Sequence, residues 1–273
     1  MVEKDQPIGI FDSGIGGLTV ARAIRKILPN ESLIYFGDTK HLPYGDKSAE
    51  AVQEFSQSIS HFLHNKNCKM IVIACNTASS LAYDVVKKEC LNIEIVNVID
   101  PVVKRIATNT SNSTIGIIGT KGTIQSKVYP QKIKTINQSL SVKSLATPLL
   151  AAMIEEGFFK DKVSETIIQN YLSQKELQNI DKLILACTHY PLIQSVIEDF
   201  YKGKVEIIDS ASVVAKYIKE KLKQEQLLSQ SKAQHHFYVS DYTDSFEQSA
   251  KLFFGEDIHL EEVKLTPYTK MNK

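Results

Sequence analysis

The chain reads as an α/β protein made of two similar domains, each with a mainly parallel sheet flanked by helices. Three observations carry that reading. Short uninterrupted apolar runs alternate with stretches of helical spacing, the pattern of parallel strands covered on both faces. Pieces of the first half recur in the second at nearly constant spacing. The most distinctive polar segments fall just beyond apolar runs, where open α/β sheets bind their ligands.

The elements follow in order. Ile8-Gly9-Ile10-Phe11 is a first strand, stopped by Asp12-Ser13-Gly14. Residues 18–28 read as a helix ending before Pro29, and Leu33-Ile34-Tyr35-Phe36 as a second strand. Over 49–65, Val52, Phe55, Ile59 and Phe62 share one helical face. Residues 70–74 form a third strand, 78–89 a helix and 93–98 a fourth strand. The scheme then restarts. A strand is expected over 114–118, with a turn at Gly119-Thr120-Lys121-Gly122, and another over 142–145. An interrupted helical stretch covers 149–172, followed by the strand Leu183-Ile184-Leu185-Ala186. Pro191 suits the first position of the next helix.

Subtraction exposes the repeat. Ile8-Gly9-Ile10 matches Ile115-Gly116-Ile117 at an offset of 107, and Ala74-Cys75-Asn76-Thr77 matches Ala186-Cys187-Thr188-His189 at 112. Gly203-Lys204 is taken as the end of the second half, with a strand over 205–208 leading to a charged helix over 211–224. A polar loop over 226–234, a strand over 237–239 and a helix over 244–254 form a tail expected to pack back on the first half. The expected domains are therefore 1–98 plus 208–273, and 99–207.

Bulk properties narrow the function. The 273 residues and 43% apolar content suffice for a real core. With 32 basic and 31 acidic residues, nothing calls for nucleic acid or an anionic membrane as partner. No apolar run approaches the ~20 residues of a membrane span. Residues 1–7 lack a signal peptide's apolar stretch, so a cytoplasmic protein is expected. Its cysteines, Cys68, Cys75, Cys90 and Cys187, include no C-x-x-C pair, so neither disulfides nor zinc are expected. Gly14-Ile15-Gly16-Gly17 lacks both phosphate-loop spacings, and His235-His236 is not part of an H-E-x-x-H motif.

Cys75 and Cys187 stand apart from the other two. Each follows a buried strand and precedes a helix, whose free N–H groups and partial positive charge lower a thiol's pKa from about 8.5. Thr77 and Thr188 are available to cap those helices. A free cysteine is ordinarily a small buried apolar residue, and Cys68 and Cys90 fit that description. Two at equivalent places in a repeat suggest matched acid and base groups. Inverting a carbon centre needs a base on one face and an acid on the other, a task thiol and thiolate perform near neutrality. Proton transfer of this kind calls for no metal and no pyridoxal. Asp12 can assist a thiol or merely cap a turn, and His189, two residues after Cys187, can assist that side or be structural. Glu155 and its neighbour Glu156 also suit a solvated helix face. Ser13, Asn76, Thr77, Thr120 and Thr188 are neutral donors for a substrate's charged groups, or simple caps.

The motifs resemble those of bacterial glutamate racemases. Phe11-Asp12-Ser13-Gly14-Ile15-Gly16-Gly17-Leu18-Thr19-Val20 is similar to their opening, and Tyr35-Phe36-Gly37-Asp38-Thr39 followed by Leu42-Pro43-Tyr44-Gly45-Asp46-Lys47-Ser48 to their next signature. Ala74-Cys75-Asn76-Thr77-Ala78-Ser79 and Ala186-Cys187-Thr188-His189-Tyr190-Pro191-Leu192 resemble the two cysteine signatures, and Phe237-Tyr238-Val239-Ser240-Asp241 also fits. The resemblance implies two α/β domains with the active site in the cleft between them, and supply of D-glutamate for peptidoglycan. It implies Cys75 taking the proton from D-glutamate and Cys187 from L-glutamate. Asp12 would assist the first thiol, and His189 and Glu155 the second. Asp12, Ser13, Tyr44, Gly45, Asn76, Thr77, Thr120, Thr188 and His189 match substrate positions. The segment Pro148-Leu149-Leu150-Ala151-Ala152-Met153-Ile154 departs from the family's P-x-x-V-P-L-V, although Glu155 aligns better than Glu156. No cofactor is implied, and a homodimer is compatible with the resemblance.

Three rivals remain at this level. An aspartate racemase of the same superfamily typically has Thr-Glu after the second cysteine, where this chain has Thr188-His189. A thiol hydrolase using one cysteine and His189 would not need the matched Cys75. A non-catalytic amino-acid binding protein would bind without exchanging the α-proton.

Overall fold

A computed structural model describes residues 2–109 and 112–266. The chain opens with β1 (Ile8–Asp12), α1 (Leu18–Ile27), β2 (Leu33–Gly37), α2 (Ala49–Asn65) and β3 (Met70–Ile73). It continues through α3 (Asn76–Leu81), α4 (Tyr83–Glu89), β4 (Glu94–Asn97) and α5 (Asp100–Asn109). The second half holds β5 (Thr114–Gly119), α6 (Lys121–Gln125), α7 (Val128–Ile136), β6 (Ser141–Ala146), α8 (Pro148–Glu155) and α9 (Lys162–Leu172). After these come β7 (Lys182–Ala186), α10 (Gln194–Tyr201), β8 (Glu206–Asp209), α11 (Ser210–Gln224), β9 (His235–Val239), α12 (Asp244–Phe254) and β10 (Leu260–Glu262).

The strands form two wholly parallel sheets, ordered β10-β9-β2-β1-β3-β4 and β6-β5-β7-β8. The repeat seen by subtraction is visible in this order. The run β2-β1-β3-β4 has the same connectivity as β6-β5-β7-β8, so β1 corresponds to β5 and β3 to β7. Strands β1, β2 and β3 are buried throughout, which explains why they read as continuous apolar runs. The edge strand β6 is largely half-exposed and correspondingly mixed in sequence. The tail packs on the first half as expected, with β9 pairing β2 and β10 pairing β9.

Local chemistry accounts for where the helices begin. Ser48 accepts from the Ala51 N–H at the start of α2, and Asp209 from those of Ala211 and Ser212 at the start of α11. Asp161 and Ser164 make a reciprocal capping box on α9. The single helix expected over 78–89 is instead two, α3 and α4, broken at Ala82. Gln53 of α2 donates to the Leu81 carbonyl at 2.9 Å, satisfying a group that the break releases from the helical ladder. The expected turn at 119–122 is the start of α6, with Thr120 as its cap. Gly203-Lys204 does not end the second half, because β8 follows it as an edge of the second sheet. The expected boundary between 207 and 208 falls inside that strand.

One apolar cluster joins the halves. It runs from Ile10, Leu18 and Ile24 through Val214 and Ile218 to Leu185 and Ile197. The opposite end of the first sheet is held by a buried ion pair. Lys69 Nζ lies 2.6 Å from Glu31 Oε2, and the two side chains are 0% and 1% exposed. The ammonium also donates to the carbonyls of Lys4 and Leu227, while Glu31 Oε1 accepts from the Ser229 N–H. The pair thus ties the chain's start and the α11–β9 connection to the sheet. Removing one member leaves the other charge buried alone, so Lys69→Met should cost about 3–5 kcal/mol in urea unfolding. Adding Glu31→Met to that variant should recover part of the loss. A cost below about 1 kcal/mol for Lys69→Met would place this pair with ordinary surface bridges.

Candidate active site

The carboxyl ends of β1 and β3 in one sheet, and of β5 and β7 in the other, lead into the same cleft. It encloses about 580 Å³ and is lined by Ser13, Tyr44, Gly45, Asn76, Thr77, Thr120, Thr188, His189, Glu155 and both Cys75 and Cys187. That size suits a small molecule. Every expected site residue is there except Asp12, which is 1% exposed and lies beneath the surface. Glu156 lines the cleft as well, but Glu155 is the carboxylate facing His189, at 3.4 Å from Nε2. Among the described residues, no group of three or more His, Cys, Asp or Glu could hold a metal ion.

Cys75 is itself the cap of α3, its Sγ accepting from the Ala78 N–H at 3.4 Å. Thr77, expected as that cap, is used elsewhere. Its hydroxyl lies 2.9 Å from Thr120 Oγ1 and 3.4 Å from Thr123 Oγ1, across the join of the halves. The Cys75 thiol donates to Ser13 Oγ at 3.7 Å, and Ser13 Oγ donates to Asp12 Oδ1 at 3.5 Å. The helix start acts on Cys75 in the expected sense, but it does not dominate. Burial, reinforced by the Asp12 charge, pushes this thiol up to about 12, against the smaller lowering effects of the Ala78 N–H and Ser13. The depressed pKa expected from the sequence is therefore overturned for Cys75.

Cys187 is set differently. It is followed by a 3₁₀ turn, Tyr190–Ile193, with Pro191 in its first turn, before α10 begins. Thr188 caps no helix; its hydroxyl donates to Asp12 Oδ2 at 3.3 Å. Cys187 Sγ lies 3.7 Å from His189 Nδ1. Burial alone would lower the His189 pKa, but its contacts with Cys187 and Glu155 outweigh that and raise it to about 10. Burial raises the Asp12 carboxyl, and the nearby His189 charge opposes the rise.

The glycines of the first loop acquire a reason here. A Cβ on Gly16 would lie 2.4 Å from His189 Cε1 and 2.6 Å from Thr188 Oγ1. Only hydrogen at that position lets the second cysteine's segment reach the first sheet. Tyr44 lines the cleft, but its hydroxyl donates to Asp38 at 2.5 Å. The sequence reading missed Ser245, Phe246, Gln248 and Ser249, which bring the first turns of α12 to the cleft wall. It also missed Asp46 and Lys121, paired at 3.3 Å between the halves. Pairings so distant in sequence leave no periodic signal to detect.

Comparison with known proteins agrees with this geometry. Residues 18–218 match the model of the Asp/Glu/hydantoin racemase family. A glutamate racemase of Geobacter metallireducens is 42% identical over 91% of this chain and 92% of its own. The crystal structure of a glutamate racemase from Francisella tularensis, in complex with D-glutamate, superposes with a TM-score of 0.91 at 38% identity. It covers 97% of this chain and 100% of that one. A Bacillus anthracis glutamate racemase isoform gives 0.91 at 36%, covering 96% and 99%.

The charge on His189 is open to direct measurement. Its pKa in the fold, about 10, lies above the unfolded value near 6.5. The stability it confers is therefore fully present below about pH 6.5 and lost as the pH climbs through about 10. Nitrogen-15 NMR of labelled histidine should find an imidazolium at position 189 at pH 8, titrating lower in Glu155→Gln. A neutral ring at pH 7 would contradict the assignment.

Proposed function

The chain belongs to the Asp/Glu/hydantoin racemase family, as a glutamate racemase, and we propose that it inverts the α-carbon of glutamate with two cysteines and no cofactor. The observation that carries this reading is the pair of buried thiols lining one cleft from the ends of the equivalent strands β3 and β7. A thiolate on one side removes the α-proton, and the thiol on the other returns a proton to the opposite face. The roles exchange for the reverse direction. Cys75 takes the proton from D-glutamate and Cys187 from L-glutamate.

The supporting groups differ on the two sides. Asp12 acts on Cys75 through Ser13, whereas His189 contacts Cys187 directly and is itself faced by Glu155. Burial and the Asp12 charge push the Cys75 thiol up to about 12, which favours its neutral form. A substrate ammonium brought near the thiol supplies positive charge that favours the thiolate. Ser13, Asn76, Thr77, Thr120 and Thr188 offer uncharged donors to the two carboxylates. The two sheets with their helices serve as the two domains that enclose the substrate. Supply of D-glutamate to peptidoglycan synthesis in the cytoplasm is the corresponding cellular role. The four free thiols fit the reducing conditions of that setting, and none of the described helices is long and apolar enough to cross a membrane.

Circular dichroism of L-glutamate with the chelated enzyme in deuterated buffer tests the whole reading. The signal should decay to zero, and the product should carry deuterium at Cα. Aspartate should react much more slowly. Cys75→Ser and Cys187→Ser should each lose about 10²–10⁴-fold, the usual contribution of one positioned acid or base. Each should fail in both directions, because every turnover uses both thiols. A folded Cys75→Ser enzyme with near wild-type rate would sink the mechanism. Comparable efficiency on aspartate would overturn the substrate while leaving the mechanism intact.

A further inference from the structure

Each half of the molecule grips the residue that follows the other half's cysteine. On the Cys187 side, Thr19 of α1 places its hydroxyl 2.9 Å from the Thr188 carbonyl, sharing its hydrogen with the Gly16 carbonyl at 2.9 Å. On the Cys75 side, Tyr129 of α7 donates its phenol hydrogen to Asn76 Oδ1 at 2.8 Å. Tyr129 is 1% exposed and Thr19 8%. Neither residue lines the catalytic cleft.

The two grips are anchored in their own halves. Beside the Tyr129 hydroxyl lies Ser210, whose Oγ donates to the Leu185 carbonyl of β7 at 3.0 Å. Asn76 is fixed in turn at its other end, its carbonyl accepting from Ser80 Oγ at 2.8 Å. The chain enters α7 through Lys127 in the left-handed region, at φ 56°. A non-glycine residue adopts that conformation at a cost. Here the bend orients α7 so that Tyr129 reaches the opposite half.

We propose that Thr19 and Tyr129 are a matched pair of positioning residues, Thr19 acting through Thr188 on Cys187 and Tyr129 acting through Asn76 on Cys75. This rests on the two-cysteine reading and extends it: the placement of each thiol is set from the opposite half. Proton transfer to carbon depends steeply on donor placement. Loosening one grip therefore slows the step of one cysteine and leaves the other step as it was.

The test is the primary isotope effect measured with α-deuterated D- and L-glutamate on Tyr129→Phe and Thr19→Val. Each variant should lose on the order of 10- to 100-fold in kcat, as small misplacements do. In Tyr129→Phe, transfer at Cys75 becomes the slower step. The isotope effect should rise with deuterated D-glutamate and fall with deuterated L-glutamate. Thr19→Val should shift both in the opposite sense, and Thr19→Ser, which restores the hydroxyl, should return them towards wild type. Isotope effects do not depend on the fraction of enzyme that is folded, so partial unfolding leaves the comparison intact. Equal shifts in both variants, or none, would overturn the proposal. If the serine replacements of Cys75 and Cys187 are inactive while these shifts are absent, only the positioning roles fall. If the serine enzymes are active, the two-cysteine reading falls first.

Discussion

The structure depends on mutual bracing across the join of two parallel sheets. Neither cysteine segment is held only by its own half. Thr188 is held by Asp12 and Thr19 from the first half, and Asn76 and Thr77 by Tyr129, Thr120 and Thr123 from the second. These are polar groups in an interior that makes an unpaired donor or acceptor expensive. If the halves shifted apart, all of these bonds would be lost together. The shared apolar cluster supplies attraction between the halves, but it is non-directional. The hydrogen bonds choose one relative placement from the many that would bury similar apolar area.

That placement creates an electrostatic problem that the two sides solve differently. A thiol taken out of water resists ionisation, and for Cys75 neither the α3 start nor Ser13 compensates, while Asp12 adds repulsion. The second side carries its own cation, since His189 is held protonated between Cys187 and Glu155. The repeat therefore does not make the surroundings of the two cysteines equivalent. Cys187 has the imidazole 3.7 Å away, and Cys75 faces the Asp12 charge instead.

What the sequence disclosed follows from which interactions are local. The strands were legible because β1, β2, β3 and β7 are buried almost throughout and so apolar almost throughout. The cysteines were legible because a strand and a polar step flank each of them. Caps were less so: Thr77 and Thr188 have the right chemistry, but both hydroxyls turn to the opposite half, and Cys75 caps its own helix. The break at Ala82 depends on Gln53, far away in sequence. The cleft residues of α12 and the partners Thr19 and Tyr129 belong to the same class. Each is an ordinary residue locally, and its role arises only when the halves meet.

Gly14-Ile15-Gly16-Gly17 illustrates the same point from the other direction. A glycine-rich turn after a first strand invites comparison with loops that let a phosphate approach the backbone. Here the close approach is made by protein. Gly16 admits His189 and Thr188, and a Cβ on Gly17 would lie 2.5 Å from Asp12 Cβ. The space left by the missing side chains is filled by Thr188 and His189, which follow Cys187, and by the Asp12 side chain. The glycines are thus part of the bracing. They let α1 start close enough for Thr19 to reach the Thr188 carbonyl, bringing the second cysteine's segment against the end of the first sheet. The same backbone feature that elsewhere accommodates a ligand here accommodates the other half of the enzyme.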